Sequence, residues 1–139
     1  MTLRVRRTPF DKLVFRVYYS SETGEDHIPP MIWDVVGEGM QSSFDVVADV
    51  TDEGQDATGV AAVILTYADG DEWKSVEMTY RSGTALWEHS LSVSGTAVSF
   101  FVRAVDGAGN VAVSGNKGRF FEPQGFDLYL PLVLRDYVP

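Results

Sequence analysis

The chain contains no cysteine, only two histidines and no long run of apolar residues, and each shortage excludes a class of protein. Without cysteine there is neither a disulfide framework nor a thiolate metal site. No stretch approaches the roughly 18 consecutive apolar residues that a membrane-spanning helix requires, and the basic residues after Met1 are not followed by the apolar segment of a signal peptide. We therefore expect that this chain does not insert into a membrane.

The sequence motifs of catalysis are also missing. An enzyme needs a nucleophile, a base or a metal cluster with convergent partners, and the chain has no Gly-x-Ser-x-Gly, His-Glu-x-x-His or P-loop pattern. His27 lies in a polar segment, where we expect it to be solvated. His89 alternates with the apolar Trp87 and Leu91, which is typical of a partly buried strand residue. The sequence thus predicts a protein without enzymatic activity.

The net charge of −9 is unevenly distributed along the chain. Residues 1–16 carry +4, whereas residues 22–106 carry −13. An acidic body of this kind repels the phosphates of nucleic acids and anionic membrane surfaces, so we expect neither as a partner. With 45% apolar and 22% charged residues, the 139-residue chain has the composition of one globular domain.

Short runs of alternating or apolar residues recur along the chain, and each is followed by Gly, Asp, Asn or Ser. This spacing is typical of β-sandwiches and barrels, whereas helical periodicity is hard to find. Seven predicted strands follow, at residues 31–36, 44–50, 60–67, 73–80, 85–93, 98–106 and 110–113. Because seven is the strand count of the simple immunoglobulin-type sandwich, the sequence predicts an all-β, immunoglobulin-like antiparallel sandwich.

Two further apolar runs, at residues 13–19 and 128–134, lie outside these seven strands. Pro29 and Pro30 separate the first run from the sandwich, because paired prolines favour extended structure and cannot continue a ladder. We therefore divide the chain into an N-terminal arm and linker, a sandwich and a C-terminal strand or tail. Their limits are residues 1–28, 29–121 and 122–139. The two extra strands either pair with each other, cover a sheet edge or complete a neighbouring domain.

A family resemblance rests on residues 44–50, on Gly-Val-Ala-Ala-Val-Ile-Leu-Thr-Tyr at 59–67 and on Ala-Val-Asp-Gly-Ala-Gly-Asn at 104–110. Over residues 29–121 the chain resembles the bacterial immunoglobulin-like domains that are appended to large exported proteins. The segment Leu-Pro-Leu-Val at 130–133 resembles a short tail at the end of some secreted bacterial multidomain proteins. The resemblance implies a secreted or cell-surface location and a spacer, adhesion or assembly role. The implied partner is a neighbouring domain, or another copy of the chain through strand addition.

The corner between the last two predicted strands has a structural explanation. Asp106 is placed to cap the turn through its carboxylate, Gly107 and Gly109 relieve the backbone, and Asn110 tolerates the left-handed conformation. We therefore predict a structural role for these four residues.

Residue types that bind metals are most concentrated in the loop between the second and third predicted strands. Asp49, Asp52, Glu53 and Asp56 lie there within eight residues. Since Ca²⁺ takes about six to eight oxygen ligands, this loop would supply part of a calcium shell, although its spacing is not that of an EF-hand. A hydrated acidic turn that binds no cofactor is the alternative.

Two tryptophans are candidate glycan-binding residues, because exposed aromatic rings stack against sugars. Trp73 lies beside the predicted turn at residues 69–71, and Trp33 lies near the start of the first predicted strand. Packing across the strands is the alternative for both, whereas Trp87 is predicted in the core. The favoured function is thus a non-catalytic structural or interaction module, and the alternative is a glycan- or calcium-binding module accessory to a secreted hydrolase.

Overall fold

A computed structural model describes residues 26–40, 42–94 and 98–125, which form eight β-strands and one short 3₁₀ turn at Asn116–Gly118. The extra strands predicted at residues 13–19 and 128–134 lie outside the described residues. The strands are β1 (Met31–Met40), β2 (Ser43–Thr51), β3 (Val60–Asp69), β4 (Glu72–Glu77), β5 (Thr79–Tyr80), β6 (Leu86–Ser92), β7 (Phe100–Asp106) and β8 (Val111–Ser114).

The strands form two antiparallel four-stranded sheets, in the orders β1-β2-β6-β5 and β4-β3-β7-β8. The first order corresponds to the A-B-E-D sheet of an immunoglobulin-type sandwich, and β3-β7-β8 corresponds to its C-F-G sheet. The predicted all-β, immunoglobulin-like sandwich is therefore confirmed, with eight described strands instead of seven.

Inner-facing side chains of both sheets form one hydrophobic core, because alternation along each strand directs every second residue inward. Val46 of β2, Leu65 of β3 and Val102 of β7 have no exposed surface. Phe44 of β2 packs on Phe100 of β7, with ring centroids 5.9 Å apart, and so joins the two sheets.

The eighth strand arises where the predicted strand at residues 73–80 divides. Its first part, β4, pairs with β3, whereas its last two residues, β5, pair with β6 in the other sheet. Met78, between them, is buried and donates its backbone N–H to the carbonyl oxygen of Val63 at 2.8 Å. The chain therefore crosses from one sheet to the other at Met78.

The first strand is longer than predicted and extends to Met40. It pairs with β2 except at one irregularity, where Trp33 is an extra residue without a partner in the ladder, as in a β-bulge. Gly37 allows close packing on the core, because a Cβ atom at this position would lie 2.8 Å from Cζ of Phe100.

Residues outside the predicted limits 29 and 121 also contact the described sandwich. Asp26, before the two prolines, accepts a hydrogen bond from the Thr58 hydroxyl at 2.8 Å. Gln124 donates its backbone N–H to the carbonyl oxygen of Gly37, also at 2.8 Å. Residues 26 and 124 therefore contribute to the sandwich.

Candidate metal centre

Three aspartates meet at one end of the sandwich. Asp26 precedes β1, Asp52 follows β2 and Asp106 ends β7. The antiparallel pairing of β1 with β2 places the start of β1 beside the end of β2, and the register of Val60 with Asp106 brings the end of β7 to the β2–β3 loop. One carboxylate oxygen of each aspartate lies within 4.8 Å of those of the other two.

Asp26 is tied to the β2–β3 loop although it belongs to no strand. Its Oδ2 accepts hydrogen bonds from the backbone N–H of Thr58 at 3.0 Å and from the Thr58 hydroxyl at 2.8 Å. Its Oδ1 accepts one from the N–H of Ile28 at 3.1 Å, and only 6% of the residue is exposed. The hydrogen bond from the Thr58 side chain, followed by that from Ile28, holds the pKa of Asp26 below its usual value.

Asp106 is held by Asn110 across the β7–β8 turn. Its Oδ1 accepts the backbone N–H of Asn110 and its Oδ2 accepts the side-chain amide, both at 2.8 Å. The same amide also donates to the backbone carbonyl of Asp26 at 3.1 Å. The backbone of Asn110 does not adopt the left-handed conformation that asparagine tolerates. Asn110 therefore joins the β7–β8 turn to the segment before β1.

Two glycines allow the β7–β8 turn to sit against the neighbouring loop. Gly109 has a φ of 91°, in the left-handed region that favours glycine. A Cβ atom on Gly107 would lie 3.0 Å from the backbone oxygen of Thr58. The Thr58 hydroxyl also accepts the N–H of Ala108 at 2.9 Å. Since Thr58 is bonded to Asp26 as well, it links the segment before β1 to the β7–β8 turn.

Asp52 joins the group from the β2–β3 loop. Its Oδ2 accepts a hydrogen bond from the N–H of Gly59 at 2.7 Å. Its Oδ1 exposes less than 1 Å² and has no hydrogen-bond partner among the described residues. Because an ionised carboxylate accepts about four hydrogen bonds, this buried oxygen retains unused acceptor capacity. Clustered carboxylate oxygens of this kind suit a hard divalent cation.

The calcium site predicted in the β2–β3 loop includes one of these three aspartates. Asp52 belongs to the cluster, whereas Asp49 is half-buried on β2 and both Glu53 and Asp56 are exposed on the loop. Asp106, to which the sequence analysis assigned a role in the turn alone, is a member.

Sequence reasoning missed that Asp26 and Asp106 are neighbours of Asp52. Asp52 and Asp106 lie at the ends of β2 and β7, and Asp26 lies in the segment that leads into β1. In an antiparallel sandwich the start of one strand and the end of the next meet at the same end of the sheet. The signal that could have found this cluster is the set of acids at or before strand ends. The predicted strand order places some of these acids at the same end of the sandwich.

The two tryptophans proposed for glycan binding lie on different sheets. Trp73 of β4 is 52% exposed and clusters with Phe101 and Phe120, with ring centroids 5.3 to 5.9 Å apart. Their interplanar angles of 34° to 55° show that the three rings do not form one flat platform. Trp33 of β1 is 56% exposed and donates its Nε1–H to the hydroxyl of Thr51 at 2.8 Å.

A groove of about 600 Å³ lies along the β1-β2-β6-β5 sheet, and His89 is among its lining residues. Three of its charged side chains are paired, since Arg81 forms an ion pair with Glu88 and the Ser90 hydroxyl donates to Asp45 at 2.5 Å. The groove therefore presents paired polar groups.

Comparison with known proteins leaves the chain without an assigned family. No protein-family model matches it, and a search of curated protein sequences finds no significant match. Within the described ranges, no helix is long and apolar enough to cross a lipid bilayer. Its function is therefore inferred from its own residues.

Proposed function

We propose that this chain is a non-catalytic structural or interaction module of a secreted or cell-surface bacterial protein. The supporting observation is the attachment of the segment before β1 to two loops of the sandwich. Asp26 is bonded to Thr58 of the β2–β3 loop and to Asn110 beyond the β7–β8 turn. Neighbouring domains usually move relative to each other unless their junction is fixed. The attachment of the segment before β1 therefore suits a module that holds a preceding domain in a fixed orientation.

The sheet edges provide the surface for assembly. The edge strands are β1 and β5 in one described sheet and β4 and β8 in the other. Val111 and Val113 of β8 are 51% and 63% exposed. Since an exposed edge offers backbone donors and acceptors, β8 suits the addition of a strand from a neighbouring domain or from another copy of the chain.

An antibody raised against the purified chain tests this proposal in the source organism. We expect it to label intact cells or to detect the chain in the culture medium, within a polypeptide larger than the 15.3 kDa of this chain. A signal confined to the cytoplasmic fraction, at 15.3 kDa, would contradict the proposal.

Glycan binding is the second candidate, and the exposure of Trp73 beside Phe120 favours it. If these rings bind sugars, Trp73→Ala weakens binding to a polysaccharide by at least about tenfold, because stacking on an exposed indole is lost. Affinity electrophoresis in gels that contain a panel of polysaccharides measures the change. Trp33→Ala, on the other sheet, removes the second candidate tryptophan and should leave binding unchanged if the sugar stacks on Trp73. Unchanged migration of the wild-type chain in every gel would reject this candidate.

A further inference from the structure

We propose that Asp26, Asp52 and Asp106 form a binding site for one divalent cation, with Ca²⁺ as the preferred ion. The site lies at the end of the sandwich where the chain enters β1, and it is assembled from three separate segments. This proposal does not depend on the proposed role as a spacer, since the three carboxylates would bind an ion in either case.

The unpartnered oxygen of Asp52 is the observation that carries the proposal beyond a group of acids. Oδ1 is buried to less than 1 Å² and accepts no hydrogen bond, although the other oxygen of the same carboxylate is bonded to Gly59. Buried acceptors without a partner are rare in folded proteins, because their hydration is lost without replacement. A cation bound by this carboxylate would satisfy the oxygen.

Among the described residues, only neutral groups donate hydrogen bonds to the cluster, and His27 adds a weaker electrostatic attraction to Asp26. Asp26 and Asp106 are 6% and 2% exposed, so two of the three carboxylates are more than nine-tenths buried. The donors that contact the three carboxylates are backbone N–H groups, the Thr58 hydroxyl and the Asn110 amide, all of which are neutral. Adjacent like charges disfavour each other, so a divalent cation relieves a repulsion that neutral donors leave in place.

The oxygen spacing permits Ca²⁺, and the donor type narrows the choice of ion. Two oxygens that each bind one ion at about 2.4 Å, the usual Ca²⁺ distance, are at most about 4.8 Å apart. The three carboxylate oxygens meet that limit. Mg²⁺ demands shorter bonds of about 2.1 Å and stricter octahedral geometry, and Zn²⁺ favours sulfur and nitrogen ligands, which this cluster does not contain. Carboxylates of three different segments, with water in the remaining positions, therefore favour Ca²⁺.

Isothermal titration calorimetry of the full chain tests the site after treatment with a chelator. We expect saturable binding of one Ca²⁺ with a dissociation constant on the order of 0.1 to 1 mM, the range of extracellular calcium modules. Mg²⁺ is expected to bind at least about tenfold more weakly, because it is smaller than Ca²⁺, gives up its water ligands reluctantly and demands near-ideal octahedral geometry. No saturable heat with Ca²⁺ up to about 10 mM, or equal affinities for the two ions, would overturn the proposal.

Asp52→Asn and Asp56→Asn form a matched pair for the same titration. Both remove one negative charge from the same loop, but Asp56 is exposed and lies outside the cluster. Asparagine at 52 retains an oxygen for the N–H of Gly59, so the loop contact survives. We expect Asp52→Asn to weaken Ca²⁺ binding at least about tenfold and Asp56→Asn to leave it unchanged.

Two outcomes of this comparison would overturn the proposal. Wild-type affinity in Asp52→Asn would show that the carboxylate is not a ligand, and equal losses in the two variants would show diffuse attraction of cations by the acidic surface. Should Asp52→Asn fail to fold, Asp26→Asn replaces it in the comparison with Asp56→Asn, and the titration of the wild-type chain still decides whether the site exists.

Discussion

Asp69 shows, at the scale of one residue, how a carboxylate joins two parts of this chain. Its Oδ2 accepts a hydrogen bond from Nζ of Lys74 at 2.6 Å across the β3–β4 turn. Its Oδ1 accepts the backbone N–H and the hydroxyl of Ser94, in the β6–β7 loop, at 3.1 and 3.0 Å. The hydrogen bond from Lys74, followed by those from Ser94, lowers the pKa of Asp69 to about 2.

Asp69→Asn is therefore expected to change the acid stability of the fold. The folded-state pKa of about 2 lies below the unfolded value of about 3.9, so the ionised carboxylate stabilises the fold above about pH 4. This contribution is lost as the pH falls towards 2. Thermal unfolding followed by circular dichroism should show a lower melting temperature for the variant at neutral pH and a shrinking difference from wild type between about pH 4 and 2.

Asp71→Asn is the control for this measurement, since Asp71 is exposed on the same turn. We expect it to melt like the wild-type chain at each pH. A difference between Asp69→Asn and wild type that persists unchanged to about pH 2 would show that the carboxylate charge is not what stabilises the turn.

Asn110 acts at the scale of elements, because its amide connects the β7–β8 turn with the segment before β1. Asn110→Ala leaves Oδ2 of Asp106 without its donor in a residue that is 2% exposed. An unsatisfied buried acceptor costs about 1 to 3 kcal/mol, and we expect the free energy of unfolding in urea to fall by that amount. Gln55→Ala, which removes an exposed amide from the β2–β3 loop, should change it by less than about 0.5 kcal/mol. Equal effects of the two variants would contradict the connecting role.

The strands also show which elements a sequence of this kind predicts. The runs at 44–50, 60–67 and 98–106 predict β2, β3 and β7 closely. The buried residues of β2 alternate with a period of two, whereas β3 contains five consecutive buried residues, as a short apolar run does when it forms a fully buried strand. The division of the run at 73–80 is not predictable from this pattern. Val76 and Met78 both face the core, so the alternation continues while the backbone changes its hydrogen-bond partner from β3 to β6.

The candidate site was only partly predictable for a related reason. The sequence draws attention to acids that are close along the chain, and so to Asp49, Glu53 and Asp56 together with Asp52. The fold instead selects acids by the end of the sandwich at which they lie, and Asp26 and Asp106 come from distant parts of the chain. Their contact depends on strand pairing and on the close approach of Thr58, which no local pattern encodes.

At the scale of the whole molecule, the acidic charge and the aspartate cluster both favour the binding of cations. The charge of −13 on residues 22–106 attracts cations to the surface, where exposed acids are screened by salt. The cluster differs from that surface because two of its aspartates are buried and an oxygen of the third has no partner. A bound ion would therefore stabilise the whole sandwich by linking the chain before β1 to the ends of β2 and β7.

Thermal unfolding of the wild-type chain and of Asp52→Asn, each in chelator and in about 5 mM Ca²⁺, tests this account most directly. In chelator we expect Asp52→Asn to melt at the higher temperature, because the variant removes one of three adjacent charges and its new amide can donate to the remaining carboxylates. In Ca²⁺ the order should reverse, with the wild-type melting temperature raised by roughly 3 to 5 °C for a dissociation constant of about 1 mM. The same order of melting temperatures under both conditions would contradict the account.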